Sequence, residues 1–406
     1  MKIVHFADVH LGAENYGRID SRTGLSMRLT DFIQAINHVI DLALEQGADL
    51  VLFAGDAYKT RDPSPTYQRE FARSIHRLSR AGVPTVLIAG NHDMPNAAGR
   101  AHTMEIFGTL EIEHIHVARS PDVLDIETAH GPVQVGVLPW IVRSGLLSHQ
   151  EHKNKSLQQV NELLLERIDL ILNGPDGLVS RLDPDKPHIL VAHGTVQGAV
   201  YGSERTVMLG HDIVLPLHFM KNPNWDYVAL GHIHRHQALE DERFPPVVYA
   251  GSIERIDFGE EKQDKGIVIA EVERGQCTWQ FHKLDARPFV TISVTADGKD
   301  PTAQVVRAIK HATIQDAVAR VLIRMTAERN ALIRPKKIIQ ALEGAFYISS
   351  IAREIVRPER MRLGSQQDIA GLTPLQVLER YLQTKQTPAE RIDLLLDHAQ
   401  SLYIQK

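Results

Sequence analysis

At 406 residues the chain exceeds what one hydrophobic core usually organises, so two or three domains are expected. A hydrophobic content of 43% with 23% charged residues excludes disordered and fibrous classes, and no apolar run approaches the roughly 20 residues that a membrane helix needs. The net charge of −5 supplies no global attraction to nucleic acid, so any contact with DNA must rest on local basic patches or on a partner.

The amino terminus, MKIVHFADVH, runs from one lysine into a strand-like segment without an apolar signal core, so export is not expected. A single cysteine, Cys277, leaves no intramolecular disulfide and fits a reducing cytoplasm. Through the first two thirds of the chain, apolar β-branched runs alternate with amphipathic stretches, which predicts a layered α/β domain. KIVHFADVH, ADLVLFAGD, PTVLIAGNHD, PHILVAHG and DYVALGHIH are each continuously apolar with a polar cluster at the carboxyl end. Such runs predict strands buried on both faces. Helices are predicted at LTDFIQAINHVIDLALEQG and PTYQREFARSIHRLSRAG, both closed by glycine.

The pattern changes near Pro288, where the segments FVTISV, PTAQVVRAIKHA, AVARVLIRM, PKKIIQALEGA and YISSIAREIV predict a small βαβαβ domain. The expected organisation is therefore a domain over 1–287, a small α/β cap over 288–357, a polar linker over 358–372 and a helical hairpin over 373–406. Each helix of that hairpin begins with Thr-Pro, a capping residue followed by proline at the first helical position. In the second of them Ile392, Leu395, Leu396, Ala399 and Leu402 outline an apolar face. Docking on a partner is the favoured use of that face, and folding back on the cap is the alternative.

Ligands of open α/β sheets collect outside the carboxyl ends of the strands, so the five polar clusters are expected to converge. In Asp8-Val9-His10 and His232-Ile233-His234 the spacing of two puts both side chains on one side of extended backbone. Either pair alone is weak in a chain with 21 histidines. Five strand ends carrying D-x-H, G-D, G-N-H-D, H-G and G-H-x-H, with Gly55, Gly90, Gly194 and Gly231 permitting tight turns, are not a coincidence. Asp8, His10, Asp56, Asn91, His193, His232 and His234 are the candidate ligands, and Asp56 is the candidate bridge between two divalent cations. Imidazole and carboxylate without thiolate suit manganese, iron or zinc, and paired cations suit phosphoryl transfer. His92, next to Asn91, is the candidate catalytic residue, for transition-state stabilisation or leaving-group protonation, with a bystander that orients a ligand as the alternative. Asp93 is expected either to orient His92 or to cap the next segment.

ADVHLG, FAGDAY, AGNHD, VAHG and ALGHIH resemble the motifs of the calcineurin-like phosphoesterases. VQGAVYGSER, DYVALGHIHRHQ, YAGSIERIDFGEEKQDKG and RPFVTI narrow the resemblance to the SbcD type of DNA repair nuclease, over residues 1 to about 289. The resemblance implies an αββα phosphoesterase fold and a manganese-dependent 3′ to 5′ exonuclease and single-strand or hairpin endonuclease. It also implies a homodimer, and a heterotetramer with SbcC, a coiled-coil ATPase. Mapped by position, one ion falls to Asp8, His10, Asp56 and His234, and the other to Asp56, Asn91, His193 and His232. Lys59 stands where many relatives carry a histidine, and a lysine there still meets phosphate as a point charge.

For DNA, Arg334, Lys336, Lys337, Arg353, Arg357, Arg360 and Arg362 are eligible phosphate contacts, as are Arg18, Arg22 and Arg28 after the first motif. The stretches 66–81 and 97–107 are eligible for dimerisation. Two rivals remain: a phosphoesterase acting on nucleotides or other small phosphodiesters, and a scaffold without activity. The cap and hairpin are features that the first rival does not need, and the complete ligand set disfavours the second.

Overall fold

The computed structural model describes residues 1–95, 100–142, 146, 155–202, 212–239, 243–356, 372–385 and 387–404. Elements follow in the order β1 (Lys2–Phe6), α1 (Met27–Glu45), β2 (Leu50–Phe53), α2 (Pro65–Arg80), β3 (Thr85–Ile88), α3 (Glu105–Thr109), β4 (Ile115–Ala118), β5 (Asp122–Thr128) and β6 (Gly131–Leu138). Then come α4 (Leu157–Asn173), β7 (His188–His193), β8 (Thr195–Val196), β9 (Val214–Leu215), α5 (Leu217–Met220), β10 (Tyr227–Gly231), β11 (Gln237–Leu239), β12 (Val247–Tyr249), β13 (Gly266–Glu273) and β14 (Gln276–Lys283). One six-stranded sheet has the order β14-β13-β1-β2-β3-β4 and the other β11-β12-β10-β7-β6-β5.

Alternation along each central strand explains why these sheets stack. In β2, Leu50 and Leu52 face the second sheet, where they join Val135, Val137, Ile189, Val191 and Ala229 in one core. Val51 and Phe53 point the other way, into a core shared with Phe32, Ile36 and Ile40 of α1 and Phe71 and Ile75 of α2. On the far side, Leu190 of β7 and Leu230 of β10 pack with Ile168 and Leu172 of α4. The layers are helix, sheet, sheet, helix. Because both faces of every central strand are covered, the strands carry the unbroken apolar runs seen in the sequence.

The helices are bounded as their sequences predict. Ser26 caps α1, its hydroxyl accepting from Arg28 N–H, and Ser64 caps α2 with Pro65 at the first helical position. Gly47 and Gly82 follow their ends with φ of 62° and 71°. Parallel pairing of β1, β2 and β3 in one sheet, and of β7 and β10 in the other, directs five carboxyl ends toward one edge.

Beyond these sheets come β15 (Phe289–Thr295), α6 (Pro301–His311), β16 (Val318–Thr326), α7 (Ala327–Asn330), α8 (Pro335–Ala341) and β17 (Tyr347–Val356), with strand order β15-β16-β17. Helices α9 (Pro374–Thr384) and α10 (Ala389–Ile404) follow and pack against each other. By density of contacts the chain divides into two units. One comprises Met1–Ile292, Ile309–Val321 and Ala341–Ser350, and the other Ser293–Ala308, Leu322–Gln340 and Ile351–Lys406. Arg357 at the end of the predicted cap and the linker residues Arg360 and Arg362, like residues 97–99 of the second dimer stretch, lie outside the described residues.

The second sheet is packed without slack at Gly136, where an added Cβ would lie 2.4 Å from Cη2 of the fully buried Trp225. Gly136→Ala is expected to lower unfolding free energy by ~1–3 kcal/mol, the usual range for overpacking a core. Urea denaturation measures this, and an unchanged midpoint would contradict so tight a contact.

Candidate metal centre

Three groups of ligand atoms gather at the shared sheet edge: Asp8, His10 and His234; His10, Asp56 and His92; and Asp56, His193 and His232. Within each group the atoms lie within 4.8 Å of one another. Asp56 Oδ2 sits 3.6 Å from His10 Nε2 and 3.5 Å from His193 Nε2, between the outer groups, where a bridging carboxylate belongs. Asn91 is drawn in as well, its Oδ1 lying 3.1 Å from His193 Nε2 and 3.0 Å from His232 Nδ1. The structure therefore brings together all seven residues singled out in the sequence.

Their backbone geometry is unusual. Asp8, His10, Asp56 and His232 have φ of 54°, 49°, 61° and 99°, the left-handed region that side-chain-bearing residues avoid. Strain of this kind costs about 1–3 kcal/mol per residue and concentrates at functional sites. The glycines assist differently from what their neighbourhood predicts. Gly55 has a positive φ of 97°, but Gly90 and Gly231 are needed for space. A Cβ on Gly90 would fall 2.1 Å from Asp56 Oδ1, and one on Gly231 would fall 2.1 Å from the Ala54 carbonyl oxygen. Gly194 meets neither demand, since its nearest neighbour, Leu215 Cδ1, would be 4.0 Å away.

Hydrogen bonds at the outer side of His193, His234, His232 and His92 select which nitrogen faces the site, whereas the buried His10 Nδ1 has no partner. His193 Nδ1 lies 2.7 Å from the Ala54 carbonyl and must donate, so Nε2 is the nitrogen turned to the site. His234 Nδ1 is 2.7 Å from Glu260 Oε1, and His232 Nε2 is 2.9 Å from Asp212 Oδ2. His92 Nδ1 donates to the Lys59 carbonyl at 2.9 Å, and its ring stands edge-on to His10 with centroids 4.9 Å apart. His10 and His234 face each other through Nε2 at 3.0 Å.

Asp93, for which the sequence left two uses open, bonds main-chain groups rather than the His92 ring. Its buried carboxylate accepts from the main-chain N–H groups of Asp56 (2.8 Å), Ala57 (3.0 Å), Tyr58 (3.3 Å) and Gly90 (2.9 Å), clamping the turn that presents Asp56 to the turn that presents Asn91. Of the proposed DNA contacts, Arg28 is corrected. It is fully buried, donates to Asp31 at 2.7 Å and to the Arg255 carbonyl at 2.5 Å, and so serves the core. Arg18 is exposed and Lys59 partly buried.

Electrostatics fit a cation. Burial raises the Asp8 carboxyl to about 6, and the neighbouring Asp56 adds to the penalty. Burial alone would depress His193, yet Asp56 raises it to about 9. Two carboxylates, one amide oxygen and four imidazoles, each with one ring nitrogen turned inward, form a nitrogen and oxygen donor set for a borderline divalent ion, which would displace the proton that Asp56 holds on His193. Sequence reasoning missed Glu260, Asp212 and the carbonyls of Ala54 and Lys59. Glu260 does lie within the string DFGEEKQDKG, an acidic residue near the apolar Phe258.

Removal of the clamp should be costly. Asp93→Ala leaves its buried N–H groups unsatisfied at ~1–3 kcal/mol each. Unfolding free energy is expected to fall by more than about 3 kcal/mol on that scale, and calorimetric titration should register weaker manganese binding. A variant as stable as the parent would show that the turns hold without Asp93.

The first 236 residues match the calcineurin-like phosphoesterase family. The chain is 27% identical over 280 residues to the SbcD subunit of the SbcCD nuclease of Staphylococcus epidermidis, covering 68% of this chain and 67% of that one. It is 28% identical over 292 residues to the protein of the same name from Bacillus subtilis, with coverages of 69% and 68%. For that from Staphylococcus saprophyticus the figures are 26% over 329 residues, with coverages of 77% and 76%. With its ligand-type side chains gathered on the strand ends of that matched segment, the chain belongs to the calcineurin-like phosphoesterase family and is a metal-dependent hydrolase of phosphate esters.

Proposed function

We propose that this hydrolase is a manganese-dependent DNA nuclease of the SbcD type, trimming duplex ends from 3′ to 5′ and opening single strands and hairpins in double-strand break repair. The observation that carries the reading is the convergence of seven ligand side chains from two sheets with His92 placed beside them. The resemblance to three proteins named as parts of SbcCD nucleases supports DNA as the substrate. Asp8, His10, Asp56 and His234 would hold one divalent cation and Asp56, Asn91, His193 and His232 the other, and such paired ions would supply Lewis-acid polarisation of the phosphoryl group.

The chain's own part is positioning and proton handling. His92 is tethered through Nδ1 to the Lys59 carbonyl, so Nε2 is the nitrogen that, when the ring is protonated, delivers a proton to the leaving sugar oxygen. Its basicity is lowered, chiefly by burial, so a proton on Nε2 is readily given up. The clamp at Asp93 keeps His92 in register, since Asp56 Oδ1 also accepts the His92 main-chain N–H at 2.8 Å. Lys59 and the exposed Arg18 are the proposed substrate contacts.

Residues 288–357 are proposed as the cap that positions DNA. The α9–α10 hairpin is the proposed dock for a coiled-coil ATPase of the SbcC type in a heterotetramer. Ile392 is buried, whereas Leu394 and Leu402 are 64% and 70% exposed, apolar surface that supports docking. Around α2 and α3, the exposed Ile106 and Leu110 support the homodimer. No helix among the described residues is long and apolar enough to cross a membrane, and a reducing cytoplasm suits the lone Cys277.

With manganese, the purified chain should degrade linear duplex DNA, and cleavage of bis-p-nitrophenyl phosphate without DNA cleavage would instead favour the reading as a small-phosphodiester enzyme. His92→Gln should bind manganese as the parent does while losing ~10²–10⁴-fold in cleavage rate, the range for a positioned acid or base. Undiminished turnover would remove His92 from the mechanism.

A further inference from the structure

Behind His234 lies a buried ionic group that the reaction does not use directly. Glu260 and Lys265 have side chains with no exposed surface, and their charged ends are 2.9 Å apart. Glu260 Oε1 faces His234 Nδ1 at 2.7 Å, and Oε2 also accepts the Ile256 N–H at 2.9 Å. Lys265 Nζ donates to Ser252 Oγ (2.7 Å), Gln263 Oε1 (3.1 Å) and the main-chain carbonyl of His234 (3.1 Å). His234 is thus gripped by its ring and by its backbone from one assembly.

Such an assembly needs a reason other than stability. A buried ion pair loses so much hydration that apolar residues of similar volume are often as good or better. Among the described residues the other inward-facing rings do without one: His193 is held by the Ala54 carbonyl, His232 by Asp212, whose side chain is 12% exposed, and His10 Nδ1 has no hydrogen-bond partner. Among the described residues only His234 is backed by a carboxylate paired with its own buried counter-charge. That carboxylate directs Nδ1–H outward and leaves Nε2 facing Asp8 and His10. Lys265 cancels the charge of Glu260, so Glu260 orients the ligand without competing as one.

We infer that Glu260, anchored by Lys265 and Ser252, is a positioning residue that fixes the tautomer and aim of His234 and thereby sets the affinity for one of the two cations, the one shared with Asp8 and His10. The inference rests on the reading of those side chains as cation ligands. Among the described residues it makes the two sites unequal, since only one is backed by a dedicated buried assembly.

The test is the double variant Glu260→Leu with Lys265→Met, which removes both charges together and keeps volume. Equilibrium dialysis against manganese, with free ion read by electron paramagnetic resonance, should show one ion held ~10–100-fold more weakly, the usual effect of losing a group that orients a ligand, and the other unchanged. Glu260→Gln with Lys265→Met restores an acceptor for Nδ1–H and should return affinity toward that of the parent. Nitrogen-15 spectra of histidine-labelled, chelator-treated protein should show the Nδ1–H form of His234 in the parent and a mixture of tautomers in the first double variant.

If that double variant does not fold, Glu260→Asp keeps the charge beside Lys265 but shortens the reach to His234, and the same loss at one ion is expected. A folded variant that binds both ions as the parent does, or loses both equally, overturns the inference. A parent chain that binds no manganese overturns the ligand reading and this inference with it.

Discussion

The clasp made by the Asp93 carboxylate sets the geometry on which the centre depends. By accepting main-chain N–H groups from Asp56, Ala57, Tyr58 and Gly90, it ties the end of β2 to the end of β3. Asp56, the proposed bridging carboxylate, is thereby held at a positive φ that its own backbone resists. Burial raises Asp93 to about 7, with Asp56 as a second cause. Four N–H donors are what make a carboxylate tolerable at that depth.

From that clasp the order of the site propagates outward. Asp56 Oδ1 takes the His92 N–H, and the Lys59 carbonyl takes the His92 ring, so the catalytic candidate is fixed by the same two turns as the bridge. Across the sheet interface, His193 leans on the Ala54 carbonyl at the end of β2. Asp8 accepts the His232 N–H through both oxygens, at 3.0 and 3.1 Å. Ligands of one sheet are therefore aimed by backbone of the other. The packed core between the sheets is what makes those cross-sheet distances short and constant.

The candidate ligands were legible because each signal is local. A strand that is apolar without interruption announces burial on both faces, and a D-x-H or H-x-H at its end needs only two residues of sequence to be read. Helix ends were legible for the same reason, since Gly47 and Gly82 close α1 and α2, whereas the Ser26 cap starts α1 at Met27, two residues before the predicted Leu29. Arg28 was not legible. A cation after a motif looks like a phosphate contact until the fold places Asp31 and the Arg255 carbonyl around it. Gly194 likewise looked by its position like a residue needed for a tight turn, and it has neither a positive φ nor a close neighbour.

The sequence by itself determined the chemical inventory: which donors exist, that they sit at strand ends, and that nitrogen and oxygen rather than sulfur would meet a cation. Only the tertiary structure decided which group stands behind each of them. Glu260 is 26 residues from His234, Asp212 is 20 from His232, and Asp93 is 37 from Asp56. Partners at such separations are chosen by how the two sheets stack and where the loops return. Hydrogen bonding depends on angstroms and angles, and sequence spacing carries these only within a single strand or turn.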